Sequence, residues 1–164
     1  MNLVLDIETR LGAADQHKQE LRLWLRLLTC STMIEREIRR RLRAKFDVTL
    51  PRFDLLAQLE KAADGITLGE LSQRMMVSNG NVTGLVRLLT EQGLVESFSN
   101  PADRRATYVR LTLAGHSNFA TMAAAHATWV ADLMAGLDAN DMQQLMGGLG
   151  RLKRSVQNGS HDDD

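Results

Sequence analysis

Between residues 17 and 45 the chain has no proline or glycine, and Leu23, Leu27, Cys30, Ile34, Ile38 and Leu42 recur every three or four positions. That spacing predicts one long amphipathic helix. Thr49-Leu50-Pro51 restarts the chain: Thr49 suits an N-cap, and Pro51 falls in a first turn where a missing N–H costs nothing. Phe53, Leu55, Leu56 and Leu59 give this second helix its buried side, and Ala63-Asp64-Gly65 ends it. Thr67-Leu68-Gly69-Glu70 reads as a capping box that opens a short helix to about Met76. Ser78 caps a further helix with Val82, Val86 and Leu89 facing inward, and Gly93 suits a left-handed C-terminal cap. Two short helices across a tight turn are the local plan of a helix-turn-helix.

The period then changes from three or four to two. Residues 94–99 and 107–112 alternate as strands, joined by a polar, basic connection of residues 100–106. A hairpin placed directly after a helix-turn-helix is a wing. Thr112 caps a helix over about 113–137 with Phe119, Met122, His126, Trp129, Val130, Leu133 and Leu137 on its apolar side. Asp138-Ala139-Asn140-Asp141 starts a last helix striped by Met142, Leu145, Met146, Leu149, Leu152 and Val156.

Composition narrows the class. With 44% hydrophobic and 24% charged residues over 164 positions, the chain can bury a core and does not read as disordered. Aromatic residues are few against plentiful Leu, Ala and Met, which favours helix packing over a β-sandwich. The 20 basic residues equal the 20 acidic ones, so net charge gives no general support for nucleic-acid binding. Local concentration matters instead: residues 35–45 are strongly basic, and the end of the chain, His161-Asp162-Asp163-Asp164, offsets them. The single Cys30 forms no intrachain disulfide, and its place on the apolar face of the first helix predicts a buried structural thiol rather than a redox sensor. No apolar run reaches the roughly 18 to 20 residues of a membrane span, and the first ten residues lack a signal-peptide pattern, so no membrane partner and a cytoplasmic location are expected. The four histidines are scattered and no catalytic or phosphate-cradling motif is present, so neither an enzyme nor a metal or cofactor is expected. His126 reads as an ordinary helical histidine.

The order of elements resembles the MarR family of transcription regulators. The residues that carry the resemblance are Leu68-Gly69-Glu70-Leu71-Ser72, Val82-Thr83, Gly93-Leu94-Val95, and above all Pro101-Ala102-Asp103-Arg104-Arg105-Ala106 running into Val109-Arg110-Leu111-Thr112-Leu113-Ala114-Gly115. The resemblance implies a mostly α fold: a winged helix-turn-helix with long N- and C-terminal dimerisation helices and a two- or three-stranded β-wing. It divides the chain into an N-terminal arm and dimerisation helix (1–48), a DNA-binding lobe (49–112), C-terminal dimerisation helices (113–157) and a disordered acidic tail (158–164).

It also implies a partner, double-stranded DNA, bound as a homodimer on a pseudo-palindromic operator. The second helix of the motif would enter the major groove, the groove that distinguishes all base pairs. With Val82, Val86 and Leu89 inward, Gly80, Asn81, Thr83, Gly84 and Arg87 face outward. Asn81 suits an adenine edge, Thr83 a thymine methyl or phosphate, and Arg87 a phosphate, while Ser78 and Asn79 are caps or backbone contacts first. In the wing, Arg105 is expected in or at the minor groove, oriented by Asp103, with Arg104 beside it. Gly84 and Ser97 depart from the basic residues that many relatives carry there.

Many relatives release DNA, commonly as repressors, when a small aromatic or anionic effector binds. Arg36, Arg39, Arg40 and Arg43 would receive its acidic groups, an acyl-coenzyme A thioester being one case, with Met33, Phe53 and Trp129 as apolar walls. The basic half-helix reads equally well as a solvated face. A winged-helix module that binds another protein instead of DNA remains the alternative, consistent with zero net charge.

Overall fold

The structure, a computed structural model, describes residues 18–100 and 103–159, without the side chains of Asn100, Asp103, Arg104 and Arg105. The elements run α1 (Lys18–Phe46), α2 (Leu50–Glu60), β1 (Ile66–Thr67), α3 (Leu68–Met75), α4 (Asn79–Glu91), β2 (Val95–Asn100), β3 (Asp103–Leu111), α5 (Leu113–Leu133) and α6 (Ala139–Gly159). The fold is mostly helical with one three-stranded antiparallel sheet in the order β1-β3-β2. The chain divides into two compact units, one up to Ala127 and one from Thr128 onward. None of the described helices is long and apolar enough to cross a membrane.

The core of the first unit is built from the residues whose spacing announced it. Leu42 of α1, Leu55, Leu56 and Leu59 of α2, Leu71 of α3, Val82 and Leu89 of α4, Val95 and Val109 of the hairpin, and Met122 of α5 are all buried. Burying each such aliphatic side chain contributes roughly 1.5–3 kcal/mol, so this cluster is what holds the motif helices in place. Ile66 joins it from β1, a strand of two residues that pairs Ile66 with Val109 and Thr67 with Tyr108.

The long stripe expected along α1 is only half used. Ile38 and Leu42 are buried, but Leu23 and Cys30 are exposed, and the buried residue of the first half is Leu25, which lies off the stripe. At about 100° per residue, Leu25 and Ile38 point about 140° apart, so the two ends of α1 bury different faces. Cys30 therefore sits in solvent in the single chain, contrary to the buried thiol its spacing predicts.

Other boundaries also differ. The hairpin strands reach Asn100 and Asp103, so β2 and β3 extend well into the connection expected at 100–106; the register shifts between Ser99 and Asn100. α5 stops at Leu133, and Met134 to Leu137 turn back on themselves through a Leu137 N–H bond to the Met134 carbonyl. α6 includes Asn158 and Gly159. The N-terminal arm to residue 17, the turn 101–102 and the acidic end 160–164 lie outside the described residues.

Candidate nucleic-acid interface

Local hydrogen bonding fixes each end of the helix pair. The capping box at α3 is complete: the Glu70 N–H donates to Thr67 Oγ1 at 3.2 Å, and the Glu70 carboxylate accepts from the Thr67 N–H at 3.5 Å. α3 ends in a left-handed residue, Met76, with φ 54°. Across the turn, the Ser72 hydroxyl donates to the Val77 carbonyl at 2.6 Å while the Val77 N–H donates to the Ser72 carbonyl at 3.2 Å. Ser72, buried and paired in this way, holds the turn shut; the sequence offered no sign of it beyond a small polar residue in a helix. Ser78 caps α4 by accepting from the Asn81 N–H at 3.4 Å.

α4 presents the outward set that its period implies. Val82, Val86 and Leu89 are buried, whereas Ser78, Asn79, Gly80, Asn81, Thr83, Gly84 and Arg87 are exposed. The Thr83 hydroxyl donates to the Asn79 carbonyl at 2.9 Å, which leaves its oxygen to accept and its methyl for apolar contact. Arg87 stands 3.9 Å from Glu91, with both side chains largely exposed, a pairing weak enough for a phosphate to displace. Beside α4, Pro51, Val77, Gly80, Asn81, Gly84 and Leu85 line a groove of about 390 Å³. Sequence reasoning missed this groove; two glycines one turn apart on a helix were the available signal.

The C-terminal end of α4 is held from two sides. Gly93 takes φ 71°, its N–H bonds the Thr90 carbonyl at 2.9 Å, and the Leu94 N–H bonds the Leu89 carbonyl at 2.9 Å. This is the glycine-based C-terminal cap that the sequence implied. Arg52 of α2 donates to the Gln92 side chain.

The stem of the hairpin is stiffened on one face. Arg110 Nε donates to Glu96 at 2.7 Å, its guanidinium lies 4.8 Å from the Phe98 ring centre, and Phe98 sits 5.8 Å from Tyr108. These cross-strand contacts steady the base of the tip. The side chains of Asp103, Arg104 and Arg105 are outside the described set.

The basic half of α1 is internally compensated. Arg39 pairs with Glu35, Arg40 grips Glu37 at 2.7 and 2.9 Å, Arg41 joins Glu37 at 2.7 Å, and Arg43 stands 3.3 Å from Asp47. The Arg40 and Arg41 guanidiniums hold the Glu37 carboxyl down from 4.5 to about 2. Of the residues expected to receive an effector, Arg36 and Met33 are exposed on the same helix, while Phe53 is only 6% exposed, its ring 5.6 Å from Phe119 and 4.8 Å from His126. Phe53 is thus a core side chain in this structure. Trp129 belongs to the second unit. Among the described residues no cluster of three or more His, Cys, Asp or Glu is placed to hold a metal ion.

A capped helix pair, a tight turn fixed by Ser72, an exposed polar face on the second helix and a stiff hairpin directly after it define a winged helix-turn-helix. The comparisons with known proteins agree. The MarR family model matches residues 46–106. The crystal structure of a MarR family transcriptional regulator from Silicibacter pomeroyi is similar with a TM-score of 0.75 at 30% identity, covering 88% of this chain and 99% of that one. The chain is 33% identical over 108 residues to the transcriptional activatory protein BadR of Rhodopseudomonas palustris, 63% of this chain and 61% of BadR. It is 32% identical over 82 residues to the HTH-type transcriptional repressor IacR of Pseudomonas putida, 50% of this chain and 48% of IacR. The matches thus span less than two thirds of the length of these two curated relatives. The chain belongs to the MarR family.

Proposed function

We propose that this protein is a transcription regulator that binds duplex DNA as a homodimer, with α4 in the major groove and the β2–β3 tip at the minor groove of each half-site. The observation that carries the reading is the two-sidedness of α4: three apolar residues lock one face to the core, and the opposite face offers Asn81, Thr83 and Arg87 around two residues with no side chain. A helix of that kind brings hydrogen-bonding groups and backbone close to base edges. The hairpin follows within a few residues, at the spacing a winged lobe needs to touch both grooves, and Arg105 with its neighbours Asp103 and Arg104 supplies the minor-groove contact.

Pairing of two chains is supported by α6. None of its residues is buried, and Met142, Leu145, Met146, Leu149, Leu152 and Val156 expose between 37% and 67% of their surface. A stripe of that length left in water is an association surface, and a two-fold pair matches a pseudo-palindromic site. Leu23, Trp24 and Leu28 of α1 are exposed as well. An anionic effector would meet Arg36, Arg39, Arg40 and Arg43 beside Met33, with Arg39, Arg40 and Arg43 exchanging their carboxylate partners for the ligand's acidic groups. The two curated relatives are named as an activator and a repressor. This protein acts as a repressor where its operator overlaps a promoter, in the cytoplasm.

The test is a mobility shift on the DNA upstream of its own gene, with competitor, at two salt concentrations. Specific retardation that weakens steeply with salt supports the reading, because neutralised phosphates release counterions. Benzoate and free coenzyme A, added to the shifted complex, probe the effector class. No DNA binding on this fragment or on random-sequence duplexes would leave a protein-binding winged helix.

A further inference from the structure

Thr112 lies between the end of β3 and the start of α5, and it touches three pieces of chain at once. Its Oγ1 donates to the Gly93 carbonyl at 2.6 Å and accepts from the Gly115 N–H at 3.0 Å, while its own N–H donates to the Leu94 carbonyl at 3.0 Å. Gly93 and Leu94 follow the C-cap residue Gln92, and their N–H groups bond the last carbonyls of α4. The same hydroxyl therefore holds the segment that ends α4 and caps the start of α5. Its single donor is committed to Gly93 and one of its two lone pairs to Gly115.

The joint is tight on the other side as well. The first turn of α5 approaches Leu94 so closely that a Cβ on Gly115 would lie 2.0 Å from the Leu94 carbonyl oxygen. His116, one residue on, has its Nδ1 2.7 Å from the Glu60 carboxylate at the end of α2. The beginning of α5 is thus tied to the ends of both α2 and α4, and in the tie to α4 the Thr112 hydroxyl is the one side-chain link beside the backbone bond to Leu94 and the close approach of Gly115.

We infer that Thr112 is a positioning residue for DNA recognition: its hydroxyl sets the direction of α4 relative to α5. This rests on the reading of the protein as a DNA-binding homodimer. In such a dimer α5 continues past the first unit to Leu133, so the angle fixed at Thr112 determines how far apart, and how tilted, the two copies of α4 are presented. Half-site spacing on the DNA is the quantity that this angle selects. A side chain that only stabilised the fold would change the amount of folded protein and leave the preferred spacing alone.

The variant that isolates the link is Thr112→Asp. An aspartate still accepts from the Gly115 N–H, as a good N-cap, but carries no donor for the Gly93 carbonyl. Thr112→Ser keeps both bonds and serves as the rescue. Two measurements are made on each full-length protein. In the first, a Cys30→Ser background carries spin labels at Asn81→Cys and Ala127→Cys, diluted with unlabelled chains so that only the distance within a chain is read. In the second, unlabelled protein is titrated with a selected operator and with versions whose half-sites stand one base pair closer or farther apart. Thr112→Asp is expected to broaden or shift the label distance and to reduce spacing discrimination by up to about tenfold, the value of one hydrogen bond, with Thr112→Ser staying within about threefold of wild type. Any uniform loss of affinity from the added charge cancels in the ratio. An unchanged distance distribution and spacing ratio in Thr112→Asp would overturn the inference, as would Thr112→Ser behaving like Thr112→Asp. If the wild type binds no duplex at all, the functional reading fails, and the label distance alone still decides whether Thr112 sets the helix direction.

Discussion

Gly115 and Leu94 approach each other so closely that no side chain fits between them: a Cβ on Gly115 would stand 2.0 Å from the Leu94 carbonyl oxygen. The atom it would meet is backbone, immediately after the cap of α4, and cannot rotate away. Gly115→Ala is therefore expected to force α5 and α4 apart and to destabilise the chain by about 1–3 kcal/mol. Urea unfolding of the two proteins gives the difference, with Gly69→Ala, which meets nothing within 4 Å, as the control.

The turn between α3 and α4 depends on Ser72. Its hydroxyl is buried against the Val77 carbonyl at 2.6 Å, so Ser72→Ala leaves that carbonyl short of a partner and should cost about 1 kcal/mol. Faster amide exchange of the Val77 N–H, which bonds back to the Ser72 carbonyl, would accompany the loss if the two bonds act together.

Much of this motif was legible because its signals are local. The Thr67 and Glu70 capping box, the Ser78 cap, the Gly93 terminus and the inward trio Val82, Val86 and Leu89 each depend on residues within about one turn of each other. β1 was not assigned as a strand, since two residues have no period to read. The link from Arg52 to Gln92 spans 40 positions and exists only once α2 and α4 are packed. Thr49 has the extended backbone of an N-cap but its side chain makes no cap bond, because capping needs a rotamer as well as a residue type. The compensation of the α1 arginines was available, in contrast: Glu35 and Glu37 precede Arg39, Arg40 and Arg41 by three or four residues, the spacing at which helical ion pairs form. Cys30 misled because a regular stripe on a long helix records what can be buried, while a single chain buries only the faces its neighbours reach.

Gly84 and Gly80 are helical residues with open space around the position of a Cβ. Nothing in the chain's own packing requires either glycine. Gly84→Ala should stabilise the free protein by about 0.5–1 kcal/mol, and Gly80→Ala, in the first turn, by less. Thermal unfolding without DNA measures this directly. A variant that is more stable yet binds duplex DNA less tightly would locate the use of the glycines at the DNA surface.

Two carboxyl groups should respond to pH in opposite directions. Glu37, hydrogen-bonded first by Arg40 and then by Arg41, is lowered to about 2 in the folded chain, so the stability it contributes is fully present above the ordinary carboxylate value, starts to fade below it, and is lost as pH falls through about 2. Burial raises Asp54, with Glu35 adding to the rise and His126 opposing it; its contribution is present at low pH and is lost as pH rises through the raised value. Glu37→Gln should therefore lower the melting temperature at about pH 7 and by less at about pH 3, whereas Asp54→Asn should raise it at about pH 7 and change little at about pH 3.

The proposed contacts on DNA separate by kind. Asn81→Ala should cost about 1–3 kcal/mol on the preferred operator and relax the requirement at one base pair. Arg87→Ala should weaken all sequences alike and reduce the slope of log affinity against log salt by about one. Arg105→Ala should weaken the operator complex without dissociating the dimer, which sedimentation in the absence of DNA would check.

The most direct measurement of the central claim is selection of bound duplexes from a random-sequence pool by the purified full-length protein. A homodimer that reads DNA through α4 is expected to enrich a pseudo-palindrome with half-site centres about one helical turn apart, bound with an affinity that falls steeply with salt. Recovery of no shared sequence, together with weak binding that does not depend on Asn81, Arg87 or Arg105, would contradict it.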